Sequence, residues 1–536
     1  MRVPISWLRE FVEIDADATA EDIQAALVRV GLEEEAVHRS ELTGPIVVGQ
    51  VLDFVDEPQS NGKTIRWCHI DVGPSTSSGT DAAAGGRDIR GIVCGAHNFF
   101  AGDKVVVSLP GAVLPGPFPI SARKTYGHVS DGMIASVREL GLGDEHDGIL
   151  RLTELGLDPE VGTDAISLLG LDDYSVEINV TPDRGYVLSM RGVAREYSNS
   201  TGAVFRDPAR RPALLDLVGT PPSGFPVSVD DQTPIRGHVG CSVFMTRVVR
   251  DIDPSRTTPS WMASRLRLAG IRSISLPVDI TNYVMFELGQ PTHAYDLDKL
   301  SGGITVRRAR AGETLVTLDD QTRTLHSEDL LITDESGPIG MAGVMGGAST
   351  EVSASTTSVL IEAAGFDPIS IARSARRHKL PSEASKRFER GVDPQVAAVA
   401  AARVAELMVE LAGGRLDELG SRLFEASAPA PIVLRDGFVA SLVGVDYTPG
   451  EVRSSLEAIG ATLEPVDGGL KVTPPSWRPD LTDEPALAEE VARIVGYDRI
   501  PSVLPVAPPG RGLTRSQRLR RLAATMLAAN GLTEVQ

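Results

Sequence analysis

The stretch Ile46-Val-Val-Gly-Gln-Val-Leu52 opens a series of short apolar runs that decides the fold of the first part of the chain. It is followed by TIRWCHIDV at 64–72, IVCG at 92–95 and KVVVSL at 104–109. Short β-prone runs separated by turns rich in glycine and proline are typical of small barrels. We therefore expect a small closed β-barrel, with a loop at the low-complexity stretch 73–87.

The sequence on both sides of this barrel predicts mixed α/β structure. Thr19, with Asp22 three residues later, marks the start of a helix, and 173–180 is predicted as a strand. Stretches rich in proline near 205–228 and 426–431 predict linkers. The expected fold class is a multidomain α+β protein with these units: 1–40 together with 152–205, 42–151, 228–425, 428–504 and a helical segment at 511–536.

Composition limits the possible classes of function. The 536 residues include 52 Lys and Arg against 72 Asp and Glu, a net charge of −20, which excludes a basic surface over the whole protein. The three cysteines form no CxxC pair, which excludes a disulfide framework and a structural zinc site. Charged residues from Arg9 onward come too early for the apolar region of a signal peptide, and no stretch approaches ~18 apolar residues, so we expect neither a signal peptide nor a membrane span. We expect a cytoplasmic protein without membrane contact.

Two basic segments interrupt this acidic background. Arg123 and Lys124 lie beside an aromatic residue and a histidine, a composition that suits an RNA backbone with a stacked base, although a solvated turn is the simpler interpretation. Segment 371–391 has seven Lys and Arg against two Glu, a local charge of +5. It could contact phosphates, or form a solvated helical face. Its candidate RNA contacts are Arg376, Arg377 and Lys379.

A second group of signals suggests a ligand pocket. His293 follows Pro291 among turn residues, so we expect it in a loop, available for proton transfer or for holding water, although an ordinary core histidine is the alternative. The glycine-rich stretch 340–347 would let a ligand approach the backbone. Glu362 ends the apolar run 359–361 and could be a buried hydrogen-bond acceptor.

Carboxylates cluster near the end of the chain. Asp480 precedes Glu489 and Glu490, and we expect them at the start of a helix, where the helix dipole favours negative charge. Capping is the simpler reading of these residues, and metal binding is the alternative.

The order and wording of these motifs closely resemble the β subunit of bacterial phenylalanyl-tRNA synthetase. CGAHNFFAGDKV and VSDGMIASVRELGLG resemble its inserted tRNA-binding barrel, and NVTPDRGYVLSMRGVARE the domain that this barrel interrupts. The editing region of this family is similar to three stretches of the sequence, GIRSISLPVDITNYVMFELGQPTHAYDLDKL, MAGVMGG and LPSEASKRFERGVDP. The small domain that follows the editing region is similar to PSWRPDL and EEVARIVGYDRIP.

The resemblance implies a fold for each unit. It assigns an OB-fold tRNA-binding barrel to 42–151, an amino-terminal α/β domain to 1–40 with 152–205, and an α/β editing (B3/B4) domain to 228–425. It assigns a small α+β B5 domain, similar to nucleic-acid-binding folds, to 428–504. Residues 511–536 would begin a catalytic-like domain, so that the sequence resembles a β subunit truncated before its carboxy-terminal domains.

The resemblance also implies a function. The β subunit partners an α subunit in an (αβ)₂ heterotetramer, in which α uses ATP to join Phe to tRNA(Phe). The implied chemistry of the β chain is hydrolysis of mischarged tyrosyl-tRNA. The alternative is an RNA-binding and assembly module with a vestigial editing pocket.

Position by position, the resemblance places the editing pocket at seven residues. It implies that Glu362 accepts the tyrosine hydroxyl, that Gly346 makes room for the phenol ring, and that His293 holds the attacking water. Ser382 and Ala384 would line the ester end, and Asn282 and Arg272 complete the catalytic set. It also implies a Mg²⁺ ion shared with α and held by Asp480, Glu489 and Glu490, with Ala486 standing where the family has a fourth acid.

Overall fold

The computed structural model of the chain describes residues 1–74, 86–143, 145–220, 222–504, 506, 510 and 512–535. Most of the loop predicted at 73–87 lies outside these residues. No helix among them is long and apolar enough to cross a membrane. The described chain is a mixed α/β protein with several hydrophobic clusters, the largest of which runs from residues 3–32 and 176–214 into residues between 243 and 412.

The first core joins segments that are far apart in sequence. Strand Tyr174–Ile178 lies between Arg2–Pro4 and Glu34–Arg39 in a three-stranded antiparallel sheet. The helices of this unit are Ile5–Leu8, Ala20–Val28 and Met190–Thr201, with a 3₁₀ turn at Pro182–Val187. The side chain of Thr19 caps the second helix through the backbone N–H of Asp22. The segments before and after the β-rich unit therefore fold together.

The β-rich unit is built on a five-stranded antiparallel sheet. In spatial order its strands are Met133–Ile134, Lys104–Ser108, Ile46–Pro58, Thr64–Pro74 and Arg87–Cys94. Val105 and Val107 pack into one hydrophobic cluster and Val106 into another, because successive strand residues point to opposite faces. Smaller elements are Val113–Leu114, Phe118–Pro119, Arg123–Thr125, His128–Ser130, Leu152–Leu155 and Ala165–Leu168.

The central unit contains two five-stranded sheets. The first has the order Ser223–Gly224, Arg415–Phe424, Cys241–Arg250, Val359–Phe366 and Thr292–Asp296. The second has the order Val227–Asp230, Ile304–Arg308, Leu330–Asp334, Gly337–Met341 and Met345–Gly346, and Thr314–Val316 pairs separately with Thr322–Thr324. Its helices and 3₁₀ turns are Pro208–Arg210, Pro212–Gly219, Ser260–Leu268, Leu276–Leu288, Leu297–Lys299, Ala348–Thr350, Pro368–His378, Glu383–Arg390 and Ala397–Ala412.

The central helix Ala397–Ala412 covers one face of the first sheet. It packs against the strands Cys241–Arg250 and Val359–Phe366, and most of its side chains are buried. Its one buried arginine, Arg403, forms an ion pair with the fully buried Glu287. The first sheet is thus covered by a helix that can hardly shift without exposing both apolar surface and a buried ion pair.

The last core belongs to a small unit. Strands Ile432–Arg435, Gly469–Thr473 and Thr462–Val466 form an antiparallel sheet in that order. Its helices are Phe438–Val443, Pro449–Ala458 and Glu484–Val495, with a 3₁₀ turn at Tyr497–Arg499. A final helix, Arg515–Ala529, is exposed along its length.

Candidate functional site

The centre of the candidate site is a pair of neighbouring strands in the first central sheet. His293, on strand Thr292–Asp296, lies directly opposite Glu362, on strand Val359–Phe366. The prediction of a loop for His293 is wrong: Gly289 ends the preceding helix with a positive φ of 80°, and an extended strand follows. The register brings together two side chains that are 69 positions apart in the sequence.

These two side chains line a cavity of about 90 Å³ between the two central sheets and the helix Glu383–Arg390. One water needs roughly 10–15 Å³ by the same measure, so the cavity can hold a larger group. Its walls also include Pro291, Thr292, Tyr295, Ile332, Gly340, Met341, Gly343, Val344, Met345, Gly346, Ala384 and Phe388. The cavity is therefore mainly apolar, with a few polar side chains.

Glu362 is the acidic group of the cavity. Its side chain is buried, and its Oε2 atom accepts a hydrogen bond from the hydroxyl of Tyr295. Burial raises the pKa of Glu362 to about 7, although the hydrogen bond from Tyr295 acts in the opposite direction. The carboxyl group is therefore balanced between its neutral and ionised forms near pH 7. Sequence reasoning missed Tyr295, although it lies two residues after His293 and so points to the same side of a strand.

His293 is the basic group of the cavity. Its ring lies edge-on to Tyr295, with the ring centroids 4.6 Å apart, and its Nε2 atom is buried without a hydrogen-bond partner among the described residues. Burial lowers the pKa of His293 to about 4, so the imidazole is neutral at pH 7. A Cβ atom at Gly346 would lie 2.7 Å from Cε1 of this ring. Glycine at 346 therefore makes room for the imidazole itself.

The helix Glu383–Arg390 begins beside the cavity. Ser382 caps it by accepting a hydrogen bond from the backbone N–H of Ser385, and its hydroxyl donates to the carbonyl of Val344, a wall residue. Ala384, in the first turn, lines the cavity directly. The positive end of a helix dipole thus lies at this end of the cavity.

Two residues that the sequence grouped with this pocket lie outside its walls. Arg272 is exposed in the connection before the helix Leu276–Leu288. Asn282 is half-buried on that helix, next to Thr281, whose carbonyl accepts a hydrogen bond from the wall residue Thr292. The structure therefore gathers four of the seven residues, His293, Gly346, Glu362 and Ala384, around the cavity, with Ser382 in contact with its wall.

The basic segment 371–391 is less positive in the fold than in the sequence. Arg373 and Arg377 form ion pairs with Glu328, and Arg377 also pairs with the buried Asp329. Arg387 is buried and pairs with Glu383. Arg377 is therefore committed to internal contacts, whereas the side chains of Arg376 and Lys379 are exposed.

The other basic pair has a different setting. Arg123 and Lys124 are both exposed on the short strand Arg123–Thr125, which pairs with His128–Ser130. Their charged groups are thus available to a partner from the solvent.

The three carboxylates predicted near a helix start lie elsewhere. Helix Glu484–Val495 is capped by Asp483, so Glu489 and Glu490 lie in its middle. Glu490 is fully buried: it accepts hydrogen bonds of 2.7 Å from both Arg478 and Arg493. Burial would raise the pKa of Glu490, but these arginines outweigh it and hold the pKa far below its usual range.

The neighbouring carboxylates are also held by other side chains. Asp480 accepts hydrogen bonds from Arg478 on both of its oxygens, and Glu489 accepts from Arg184 and from the hydroxyl of Tyr497. The described residues contain no group of three or more His, Cys, Asp or Glu side chains that could hold a metal ion. Asp480, Glu489 and Glu490 therefore do not fit a magnesium site in this chain, because arginines supply the positive charge.

Comparison with known families places these units in a class. Residues 46–156 match a putative tRNA binding domain, 240–413 match the B3/4 domain and 432–497 match the tRNA synthetase B5 domain. The cavity lies within the B3/4 match. The combination defines a subunit of the aminoacyl-tRNA synthetase class.

Whole-chain comparison narrows this class to one family. The chain is 67% identical to a phenylalanine–tRNA ligase β subunit of Leifsonia xyli over 100% of its own length and 63% of that protein. It is 51% identical to that of Thermobifida fusca, over 100% of this chain and 62% of the relative. The chain therefore belongs to the phenylalanine–tRNA ligase β-subunit family, and it spans about 63% of the length of these relatives.

A solved structure was also found in this comparison. It is an amino-terminal fragment of the phenylalanyl-tRNA synthetase β subunit from Pyrococcus horikoshii, 14% identical, covering 64% of this chain and 96% of the fragment. Its TM-score of 0.32 is too low to support a structural argument.

Proposed function

We propose that this chain provides the tRNA-binding and editing functions of a phenylalanine–tRNA ligase β subunit. Its partner is an α subunit in an (αβ)₂ assembly, where α joins Phe to tRNA(Phe) with ATP. The reaction assigned to this chain is hydrolysis of tyrosyl-tRNA that α has made in error. The observation that carries this proposal is the facing pair His293 and Glu362 in a cavity within the B3/4 match.

The chemistry of the two amino acids explains why such a site is needed. Tyr differs from Phe by one hydroxyl, and an apolar pocket discriminates weakly against a substrate that only adds a hydroxyl. A site that hydrogen-bonds this hydroxyl, in contrast, rejects the analogue without it by roughly 10⁴-fold or more. Glu362 and the unpaired Nε2 of His293 are polar groups of this kind in an otherwise apolar cavity.

The geometry favours a role for His293 at the hydroxyl and not at the water. Directly paired strand residues have Cβ atoms about 4.5–5.5 Å apart, so His293 and Glu362 reach the same small region. The phenol oxygen and ester carbon of a tyrosyl group are roughly 7 Å apart, given bond lengths of ~1.5 Å. A histidine that shares the hydroxyl with Glu362 therefore cannot also hold the attacking water.

The ester end of the substrate then lies towards the helix Glu383–Arg390. Ala384 leaves space there, and the free N–H groups in the first turn can stabilise the negative charge that develops on the ester carbonyl oxygen. Water attacks the ester carbon, the bond to the ribose oxygen breaks, and tyrosine and tRNA are released. Arg272 and Asn282, both outside the cavity walls, are proposed to contact the tRNA end of the ester.

The remaining units are assigned to RNA binding and assembly. We assign an OB-fold to 42–151. The face of such a barrel binds oligonucleotides, so this unit is proposed to bind tRNA. Its exposed Arg123 and Lys124, and the exposed Arg376 and Lys379 of the editing unit, are the proposed phosphate contacts. The other assigned units are an amino-terminal domain at 1–40 with 152–205, an editing domain at 228–425 and a B5 domain at 428–504. The protein is assigned to the cytoplasm.

The direct test is a deacylation assay on tyrosyl-tRNA and phenylalanyl-tRNA, with and without the α subunit. We expect hydrolysis of the tyrosyl ester well above the buffer rate and much slower hydrolysis of the phenylalanyl ester. Intact tRNA binding without hydrolysis would instead support an assembly module with a vestigial pocket. The position of Arg272 and Asn282 outside the cavity is the observation in favour of that alternative.

Substitution of Glu362 tests the acceptor. Glu362→Ala should lower the preference for the tyrosyl ester by about 10–100-fold, because a hydrogen bond to a charged group contributes roughly 1.5–3 kcal/mol. Glu425→Gln, at an exposed position of the same unit, is the control and should leave the preference unchanged. An unchanged ratio of the two deacylation rates in Glu362→Ala would exclude Glu362 as the acceptor.

A further inference from the structure

Tyr295 holds a position in the cavity that the proposed reaction does not yet explain. It lies two residues after His293 on the same strand and is 1% exposed. Its hydroxyl donates a hydrogen bond to Oε2 of Glu362, and its ring packs against the imidazole of His293. One side chain therefore contacts both the acidic and the basic group of the cavity.

The carboxyl group of Glu362 has no other fixed partner. Its strand neighbours are His293 on one side and Thr246 on the other, and neither donates to the carboxyl group. Among the described residues, Tyr295 is its only hydrogen-bond donor, and Oε1 accepts from none of them. A buried carboxyl group without a partner is costly and has no fixed orientation. The orientation of Glu362 thus depends on Tyr295.

We propose that Tyr295 is a specificity-determining positioning residue, which occupies Oε2 of Glu362 and so presents Oε1 to the hydroxyl of a tyrosyl ester. This inference rests on the proposed function. The phenol of the protein and the phenol of the substrate would share one carboxyl group, each on its own oxygen. A carboxylate has lone pairs on both oxygens and can accept both hydrogen bonds at once.

A packing role is the competing explanation for Tyr295. Its ring belongs to the hydrophobic cluster between the two central sheets, with Phe244 and Leu360. Packing needs only the ring, whereas positioning needs the hydroxyl. Tyr295→Phe separates the two roles, because it keeps the ring and removes only the O–H donor.

The experiment uses the complete protein assembled with its α subunit. Values of kcat and KM are measured for deacylation of tyrosyl-tRNA and phenylalanyl-tRNA. We expect Tyr295→Phe to lower the ratio of tyrosyl to phenylalanyl deacylation about tenfold, the effect of one charge-assisted hydrogen bond, without changing the phenylalanyl rate. Tyr283→Phe is the matched control, because its buried hydroxyl contacts Arg265 outside the cavity. It should keep the wild-type ratio.

A double-mutant cycle shows whether Tyr295 acts through Glu362. In the background of Glu362→Ala, which removes both carboxyl oxygens, Tyr295→Phe should have no further effect on the ratio. Independent effects of the two substitutions, an unchanged ratio or a raised ratio in Tyr295→Phe would each overturn the inference. A wild-type protein without selectivity would overturn the proposed function and this inference together, whereas a selective wild type with an unchanged variant overturns only the inference.

Discussion

The chain buries two glutamates in opposite ways. Glu362 lies in the B3/4 cavity with one neutral partner, Tyr295, and its pKa is raised to about 7. Glu490 lies between the small carboxy-terminal unit and the first core with arginines around it, and its pKa is held far below the usual range. The same side chain is thus a poised acceptor in one place and a permanent anion in the other.

The difference shows how burial and partners set the role of an acid. Arg493 links Glu490 to Glu196 and to the carbonyl of Val30, so this cluster ties together three distant segments. Both carboxyl oxygens of Glu490 are engaged by arginines. Glu362 keeps one oxygen without a partner in the described chain and can serve a ligand. A carboxylate is available for function where the protein does not satisfy it completely.

The largest expected effect comes from breaking the arginine cluster. Arg493→Met should lower the free energy of unfolding by about 3–5 kcal/mol, because it leaves buried carboxylates without their partner. Arg435→Met is the matched control: its ion pair with Glu484 is exposed, at 66% for the arginine side chain, and should contribute about 0–1 kcal/mol. Urea denaturation measures the free energy of unfolding of both variants. Similar losses of stability would show that the buried cluster does not stabilise the fold more than an exposed ion pair does.

The next effect concerns pH and stability. The folded pKa of Glu362, about 7, lies above its ordinary value of 4.5, so ionisation of this group costs stability as the pH rises through this range. His293, whose pKa is lowered from 6.5 to about 4, acts in the opposite sense, since the fold loses stability when the pH falls through that range. Glu490, whose pKa is held far below its ordinary value of 4.5, adds a slope of stability with pH mainly below that value.

Glu362→Gln removes only the first of these contributions. Between about pH 5 and pH 7, the stability of the variant relative to wild type should therefore increase by roughly 2 kcal/mol. Urea denaturation at the two pH values measures this change. A constant difference between variant and wild type would mean that Glu362 does not titrate near neutral pH.

The smallest effect tests the position of His293. Gly346→Ala places a Cβ atom 2.7 Å from Cε1 and 3.0 Å from Nε2 of the imidazole, and should displace the ring. We expect tyrosyl deacylation to fall about tenfold, the loss of one hydrogen bond at the substrate hydroxyl. Gly340→Ala, whose Cβ atom would lie 3.6 Å from its nearest neighbour, is the control in the same cavity. Equal losses in both variants would indicate a general loss of cavity space.

The sequence was sufficient to name most residues of the cavity, but it did not predict how they are arranged. The family resemblance named His293, Gly346, Glu362 and Ala384, which the structure brings around one cavity. It could not show that His293 lies on a strand, because the pairing with Val359–Phe366 joins positions far apart in sequence. Without that register, neither the hydrogen bond of Tyr295 nor the contact between Gly346 and the imidazole can be seen.

The charge of the protein surface was harder to predict from the sequence than the residues of the cavity. The count of +5 for 371–391 includes arginines that Glu328 and Asp329, some 45 residues earlier, neutralise. Glu489 and Glu490 are similarly matched by Arg184, which lies some 300 residues earlier in the chain. The charge summed over a short stretch of sequence predicts the charge of a surface only where no distant segment folds against that stretch, as at Arg123 and Lys124.

The pairing of His293 with Glu362 makes the cavity sensitive to chain length. Side chains alternate across a strand, so moving Thr292–Asp296 by a single residue against its neighbour would turn both His293 and Tyr295 away from the cavity. The short connection from Gly289 to Thr292 fixes this alignment. Insertions or deletions there should thus be tolerated far less than in the surface turns of the same unit.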